Sequence, residues 1–229
     1  MTEEEMAQHM NKIHNVHCLE FMKKVPDGYF DLVLTDPPYG MEFQSNHRNT
    51  KHTKIVNDDN LKWLPEFIKE IDRITKEDAH MYFFCSWHFV DVFKKEISKY
   101  RKVKNILIWE KNNTGMGDLY GDYAPKYEMV IFCSNGYKKL NGGRDANIIK
   151  ATRTQNELHP TQKPDGLIKF LANKSTQKGN KVFDPFMGSG TTAVACKSLG
   201  LDWCGCELEP DYVQIANDRL KAVQMSTFG

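Results

Sequence analysis

Apolar residues along this chain fall into two patterns that alternate. Leu61, Leu64, Phe67, Ile68, Ile71 and Ile74 recur at helical spacing and predict an amphipathic helix. Short continuous runs such as Leu32-Val33-Leu34 and Met81-Tyr82-Phe83-Phe84-Cys85 are what strands buried on both faces require. The same reading predicts strands at 12–17, 31–36, 105–109, 128–133, 181–184 and 202–207. It predicts helices at 18–25, 89–100, 191–199 and 211–223, and one carrying Leu167, Ile168 and Leu171. Residues 1–12 read as a helical or frayed arm. About seven strands alternating with helices predict an α/β, doubly wound sheet in one domain spanning 1–229. Gly115, Gly117, Gly121 and Pro125 predict a mobile loop, and 136–158 is polar and weakly periodic.

The run 31–36 stops at Asp36-Pro37-Pro38-Tyr39. Prolines cannot donate to a sheet ladder, so the strand must end at Asp36. A carboxylate, a rigid carbonyl and an aromatic ring then project from the edge where open α/β sheets bind ligands. Such a set suits a planar amino-purine or amino-pyrimidine. An Asp36 oxygen and the Pro37 carbonyl each accept one N–H of the exocyclic amine, while Tyr39 stacks on the ring. Taken alone, the same residues equally describe an ordinary strand-ending turn.

A second strand-and-turn unit lies at 182–192, Val-Phe-Asp-Pro-Phe-Met-Gly-Ser-Gly-Thr-Thr. Gly188 and Gly190 let backbone approach a ligand at a helix N-terminus. The next strand ends in Glu207, placed to bind ribose hydroxyls. A phosphate loop of the lysine type is excluded, since no Lys precedes the threonines. The third glycine of a dinucleotide fingerprint is missing too. A nucleoside cofactor without a pyrophosphate fits best.

Composition adds few exclusions. With 31 Lys and Arg against 30 Asp and Glu, net charge is uninformative, but basic residues cluster at 47–54 and again from Lys138 to Arg153. Either patch reads as a nucleic-acid contact or as solvated loop. The six cysteines sit in apolar contexts and read as reduced core residues, with no metal set among them. No long apolar run and no signal-like N-terminus occur, which predicts a cytoplasmic protein without membrane association.

With both motifs in hand, the chain resembles the β-class S-adenosylmethionine-dependent DNA amino-methyltransferases, in which the proline motif precedes the glycine motif. The resemblance runs from about Ile13 to Leu220 and includes Asp36-Pro37-Pro38-Tyr39, the 184–192 turn, His159-Pro160-Thr161-Gln162-Lys163-Pro164, Trp109-Glu110-Lys111-Asn112-Asn113 and strand 128–133. It implies a Rossmann-like, mostly parallel seven-stranded sheet of permuted motif order. It also implies S-adenosyl-L-methionine as cofactor, methyl transfer to adenine N6 and duplex DNA with a flipped base as substrate. Cytosine N4 is the alternative, which in the family goes more often with Ser at the position of Asp36. An idle DNA-binding subunit is the other.

By the resemblance, Asp36, Pro37, Pro38 and Tyr39 are catalytic. His17, Cys18, Asp36, Thr161, Lys163, Asp184, Pro185, Phe186, Gly188, Gly190, Thr191 and Glu207 surround the cofactor. Arg48, Lys51 and Lys54 are expected to grip phosphate. Lys139, Arg144 and Arg153 are expected to serve a short target-recognition segment at 136–158. His17 departs from the family's Asp, which accepts from the cofactor's adenine amine; a neutral imidazole can do the same, an imidazolium cannot. A homodimer and a cognate restriction nuclease stay open.

Overall fold

The structure is a computed structural model, and it describes residues 1–38, 61–115, 120–153 and 162–223. Chain order is α1 (Glu3–Ala7), β1 (Lys12–His14), α2 (Cys18–Met22), β2 (Phe30–Thr35), α3 (Leu64–Ile74), β3 (Thr75–Cys85), α4 (Val90–Ile97) and β4 (Val103–Glu110). There follow β5 (Tyr127–Cys133), β6 (Ile148–Lys150), α5 (Asp165–Ser175), β7 (Lys181–Asp184), α6 (Thr191–Ser198), β8 (Asp202–Cys206) and α7 (Pro210–Ala222). The eight strands form one sheet in the order β1-β8-β7-β2-β3-β5-β4-β6. Every neighbouring pair is parallel except β3–β5 and β4–β5, so β5 alone runs backwards.

Alternation along β2 shows how the sheet is covered. Val33 joins one core with Phe21, Phe67, Ile71 and Phe93, from α2, α3 and α4. Leu32 and Leu34 point the other way, into a core with Leu167, Leu171, Ala193 and Leu220, from α5, α6 and α7. All five apolar residues of α3, from Leu64 to Ile74, are buried, as their spacing predicts.

Three sequence expectations need correction. β3 begins at Thr75, not Met81: its first residues Lys76, Glu77 and Asp78 are exposed and leave no hydrophobic trace. There the buried Arg101 guanidinium donates to the carbonyls of Asp72, Thr75, Lys76 and Glu77, holding the helix-to-strand corner. The loop after β4 is partly an extension of the hairpin, since Lys111 N–H donates to the Lys126 carbonyl at 2.9 Å and Gly115 N–H to that of Pro125 at 2.7 Å. Within the weakly periodic 136–158 stretch lies an eighth strand, β6, paired with Ile108–Glu110 of β4.

The reversal of β5 decides where that stretch begins. It delivers the chain to the amino edge of the sheet, where the Lys138 carbonyl meets His80 Nε2 at 3.1 Å. Asn141 donates to the Asn173 and Thr176 carbonyls at the end of α5, and Lys174 pairs with Asp145 at 2.5 Å. All six cysteines are buried free thiols, and burial raises each thiol pKa. Among the described residues no helix is long and apolar enough to cross a membrane, and no cluster of His, Cys, Asp or Glu would hold a metal ion.

Candidate active site

Four strands adjacent in the sheet, β1, β8, β7 and β2, point the same way. Their carboxyl ends carry His17 and Cys18, Glu207, the 184–192 turn, and Asp36-Pro37-Pro38 respectively. Register holds them level, with His14 opposite Cys206 and Asp184 opposite Gly205. Residues remote in sequence thus converge on one edge because the strands are parallel.

Asp36 does not stand alone. Lys163 Nζ lies 2.5 Å from Asp36 Oδ2, across 127 residues of chain, and 3.1 Å from Glu128 Oε2. Glu128, at the start of β5, also pairs with Lys111 at 2.7 Å. Lys163 is 7% exposed and lies over the Phe84 ring. Burial alone would lower its pKa, but Asp36 and Glu128 outweigh burial and raise it to about 12. Burial likewise pushes Glu128 up, and Lys163 with Lys111 more than reverses this, leaving it below the usual carboxylate range. The result is a fixed alternation of charges, Lys111, Glu128, Lys163 and Asp36, with Asp36 at one end.

The glycine turn is held from three sides. Gly188 and Gly190 adopt φ of +52° and +83°, and a Cβ on Gly190 would lie 2.6 Å from the Ala216 Cβ. Gly188 N–H donates to Glu207 Oε2 at 2.8 Å, while Glu209 N–H donates to Oε1 at 2.9 Å. Asp184 accepts from Thr192 Oγ1 at 2.6 Å and from Phe186 N–H at 3.1 Å; burial nonetheless raises its pKa to about 6. Arg219 of α7 donates to the Ser189 carbonyl at 2.7 Å and pairs with Asp165 of α5 at 2.9 Å. A further contact of Arg219, to Thr191 Oγ1 at 3.2 Å, ties that hydroxyl to the scaffold. Pro185 is buried, and Phe186 packs against Trp63 and Phe67.

These residues fit a nucleoside with vicinal hydroxyls. Glu207 Oε2 takes the Gly188 N–H and Oε1 the Glu209 N–H, and a carboxylate has further lone pairs to offer. The turn places backbone beside it, and Cys18 lies buried within the field of the Glu207 carboxylate. His17 fits differently from the expectation. It caps α2, its Nδ1 accepting from Leu19 N–H at 3.3 Å. A neutral ring with Nδ1 accepting carries its hydrogen on Nε2, which donates, so the expected acceptor for an adenine amine is turned to the helix cap.

The structure separates the expected DNA contacts. Exposed Lys139 and Arg144 stand on the amino-edge path, roughly 20 Å from Asp36 by the length of β2. They are not brought to the site, because β5 carries the chain away from it. Arg153 stands on the same edge as Asp36 but at the far side of the sheet: it follows β6, four places from β2, on the carboxyl side, its N–H donating to Asn112 Oδ1 at 3.0 Å. Tyr39, Arg48, Lys51, Lys54 and Thr161 lie outside the described residues. Glu128, Lys111, Arg219 and Trp63 were not anticipated. Glu128 and Lys111 had left a trace in the sequence, each inside a segment that carries the resemblance, but neither had been assigned to the site.

The model of the DNA methylase family, which spans the N6 and N4 amino-methyltransferases, matches residues 30–218. YubD of Escherichia coli (strain K12) is 30% identical over 94% of this chain and 92% of its own length. The crystal structure of the M1.HpyAVI–SAM complex superposes with a TM-score of 0.70 at 26% identity, covering 91% of this chain and 98% of that one. The PvuII DNA methyltransferase, described as cytosine-N4-specific, gives 0.73 at 16% identity, over 95% of this chain and 89% of that one, a likeness of fold alone.

Proposed function

The chain belongs to the N6/N4 DNA methylase family, and from that premise we propose that it methylates adenine N6 in DNA. The family's cofactor is S-adenosyl-L-methionine, which supplies a methyl group made electrophilic by its sulfonium. The observation that carries the adenine reading is Asp36, a carboxylate where cytosine-N4 members more often have Ser, held by the buried Lys163.

Glu207 would accept the ribose hydroxyls, with the 188–190 turn against the nucleoside and Asp184 fixing the turn from beneath. Asp36 and the Pro37 carbonyl would each accept one N–H of the target amine. That draws the nitrogen toward tetrahedral geometry and directs its lone pair outward. Lys163 contributes by orientation: it fixes Asp36 as a charged acceptor, so no rearrangement is needed when the amine arrives. Tyr39 would stack on the base, which must first leave the duplex. The methylated amine is cationic and sheds its extra proton after transfer, so no strong base is required.

One domain over 1–229 suffices for this chemistry, and the family match spans both motifs without a break. On the DNA side, Arg153 stays in the proposal with Arg48, Lys51 and Lys54. Lys139 and Arg144 drop out, since a duplex presenting a base to Asp36 approaches the opposite edge. The test is transfer of label from methyl-tritiated cofactor to DNA, followed by nucleoside analysis. Label in N6-methyladenine supports the reading, and label in N4-methylcytosine replaces it.

A further inference from the structure

Of the rings that the described structure leaves in solvent, Tyr100 and Tyr137 lie toward the amino edge of the sheet, and others gather at the carboxyl edge. Trp87 is 55% exposed, Tyr123 94% and Tyr127 42%, in the turn after β3 and in the β4–β5 hairpin. Cys85 stands opposite Met129 on neighbouring strands. Trp87 and Tyr127, each two residues nearer the carboxyl edge, are therefore level with one another. Trp87 stacks on His88, with ring centroids 3.8 Å apart and planes at 30°, so the imidazole backs one face of the indole. The hairpin extends past the sheet through the Lys111–Lys126 and Gly115–Pro125 backbone bonds. It stands on the edge where Asp36 lies, since β5 is separated from β2 only by β3.

Cations flank these rings. Lys126 and Lys150 both approach Glu110, at 2.9 and 3.9 Å, with much of their length in water, and Arg153 follows β6. Against them stand Glu110 and Asp122, so the patch is more aromatic than basic. Rings in water beside a few cations suit nucleobases, because every base offers a π-face, while phosphate gripping alone would call for more charge.

We propose that Trp87, Tyr123 and Tyr127 form a stacking platform for nucleobases left unpaired when the target nucleotide is turned out of the duplex. This rests on the reading that DNA is the substrate. It assigns the hairpin a role distinct from the catalytic turn: holding the opened strand, without reading its sequence.

The test uses the full chain and a single-stranded oligodeoxynucleotide containing 2-aminopurine, whose fluorescence falls on stacking. Wild type is expected to bind and quench it. Trp87→Ala and Tyr123→Ala should each weaken binding about 5- to 100-fold and lose quenching, with the salt dependence unchanged. Tyr123→Phe should bind as wild type does. Lys126→Ala should instead flatten the salt dependence. A wild type that methylates DNA while both alanine variants bind and quench like it overturns the platform alone. A wild type that binds no DNA overturns the platform and the substrate reading together. If the alanine variants dissociate a dimer in sedimentation and leave DNA binding intact, the rings serve a second copy of the chain and the proposal fails.

Discussion

Lys163 Nζ sits 2.5 Å from Asp36 Oδ2 and 3.1 Å from Glu128 Oε2, a buried cation shared between two carboxylates. Removing one partner of a buried ion pair costs more than the pair contributes, because the other charges stay behind. Lys163→Met leaves Asp36 facing Glu128 with only Lys111 to compensate. We expect a stability loss of about 3 kcal/mol in urea denaturation and a fall in methyl transfer of about 100-fold or more. Lys163→Arg should recover much of the stability. Equal stability of Lys163→Met and wild type would show that the network carries no net weight.

Asp36→Ala separates chemistry from folding. Lys163 keeps Glu128, so the variant should fold and bind cofactor within a few-fold of wild type in calorimetric titration. Transfer should fall by about 100-fold or more, the loss of roughly 3 kcal/mol of transition-state stabilisation. Activity within a few-fold of wild type would remove Asp36 from its assigned role.

His17 is tested by what each replacement keeps. Ala removes the acceptor for Leu19 N–H and should cost about 1 kcal/mol of stability. Asp has two oxygens, so one can cap the helix while the other accepts from an adenine amine. His17→Asp should therefore match wild type in stability and bind cofactor several-fold more tightly. No gain in affinity would place the adenine away from this position.

How much of this was legible in the sequence depends on what pattern can encode. The α3 stripe from Leu64 to Ile74 and the strand Lys181–Asp184 follow the hydrophobic pattern closely, since burial alone shapes them. β6 did not: three residues at a sheet edge, with Ile148 itself 55% exposed, have no apolar run to announce them. Strand direction left no mark either. Nothing in Tyr127–Cys133 says that it runs backwards, and that reversal is what sends Lys139 and Arg144 to the far edge. Asp36, Glu207 and the glycines were readable because their motifs are local. The Lys163–Asp36–Glu128 network was not, because it joins three segments that only the sheet order brings together.

Two buried groups should give the stability opposing slopes with pH. His80, 1% exposed, lies between Ser175 Oγ at 2.8 Å and the Lys138 carbonyl at 3.1 Å. Burial lowers its pKa from 6.5 to about 4. The unfolded chain takes up this proton first, so stability is unaffected above pH 6.5 and declines toward pH 4, by about 3 kcal/mol in all. Asp184 works the other way, its pKa raised by burial from 3.8 to about 6. Its contribution is fully present below pH 3.8 and lost as pH rises through 6. Urea midpoints compared between about pH 4 and 7 isolate each. Relative to wild type, His80→Gln should gain stability as pH falls and Asp184→Asn should lose it. Curves parallel to wild type would refute both assignments.

Gly190 meets two separate demands, and a pair of substitutions divides them. Its φ of +83° is the left-handed region, where a side chain costs about 1 kcal/mol. A Cβ there would also lie 2.6 Å from the Ala216 Cβ and 3.1 Å from its Cα, on α7. Overpacking against helix backbone adds roughly 1–3 kcal/mol, so Gly190→Ala should lose about 2–4 kcal/mol in urea denaturation. Ala216→Gly clears the Cβ contact and carries its own helix-interior cost of about 1 kcal/mol. The double variant should therefore be less destabilised than the two single losses added together, by about 1 kcal/mol or more. The strain at φ stays in both alanine variants, and no change at position 216 relieves it. Additive losses would mean that α7 gives way without cost and that conformation alone holds the glycine there.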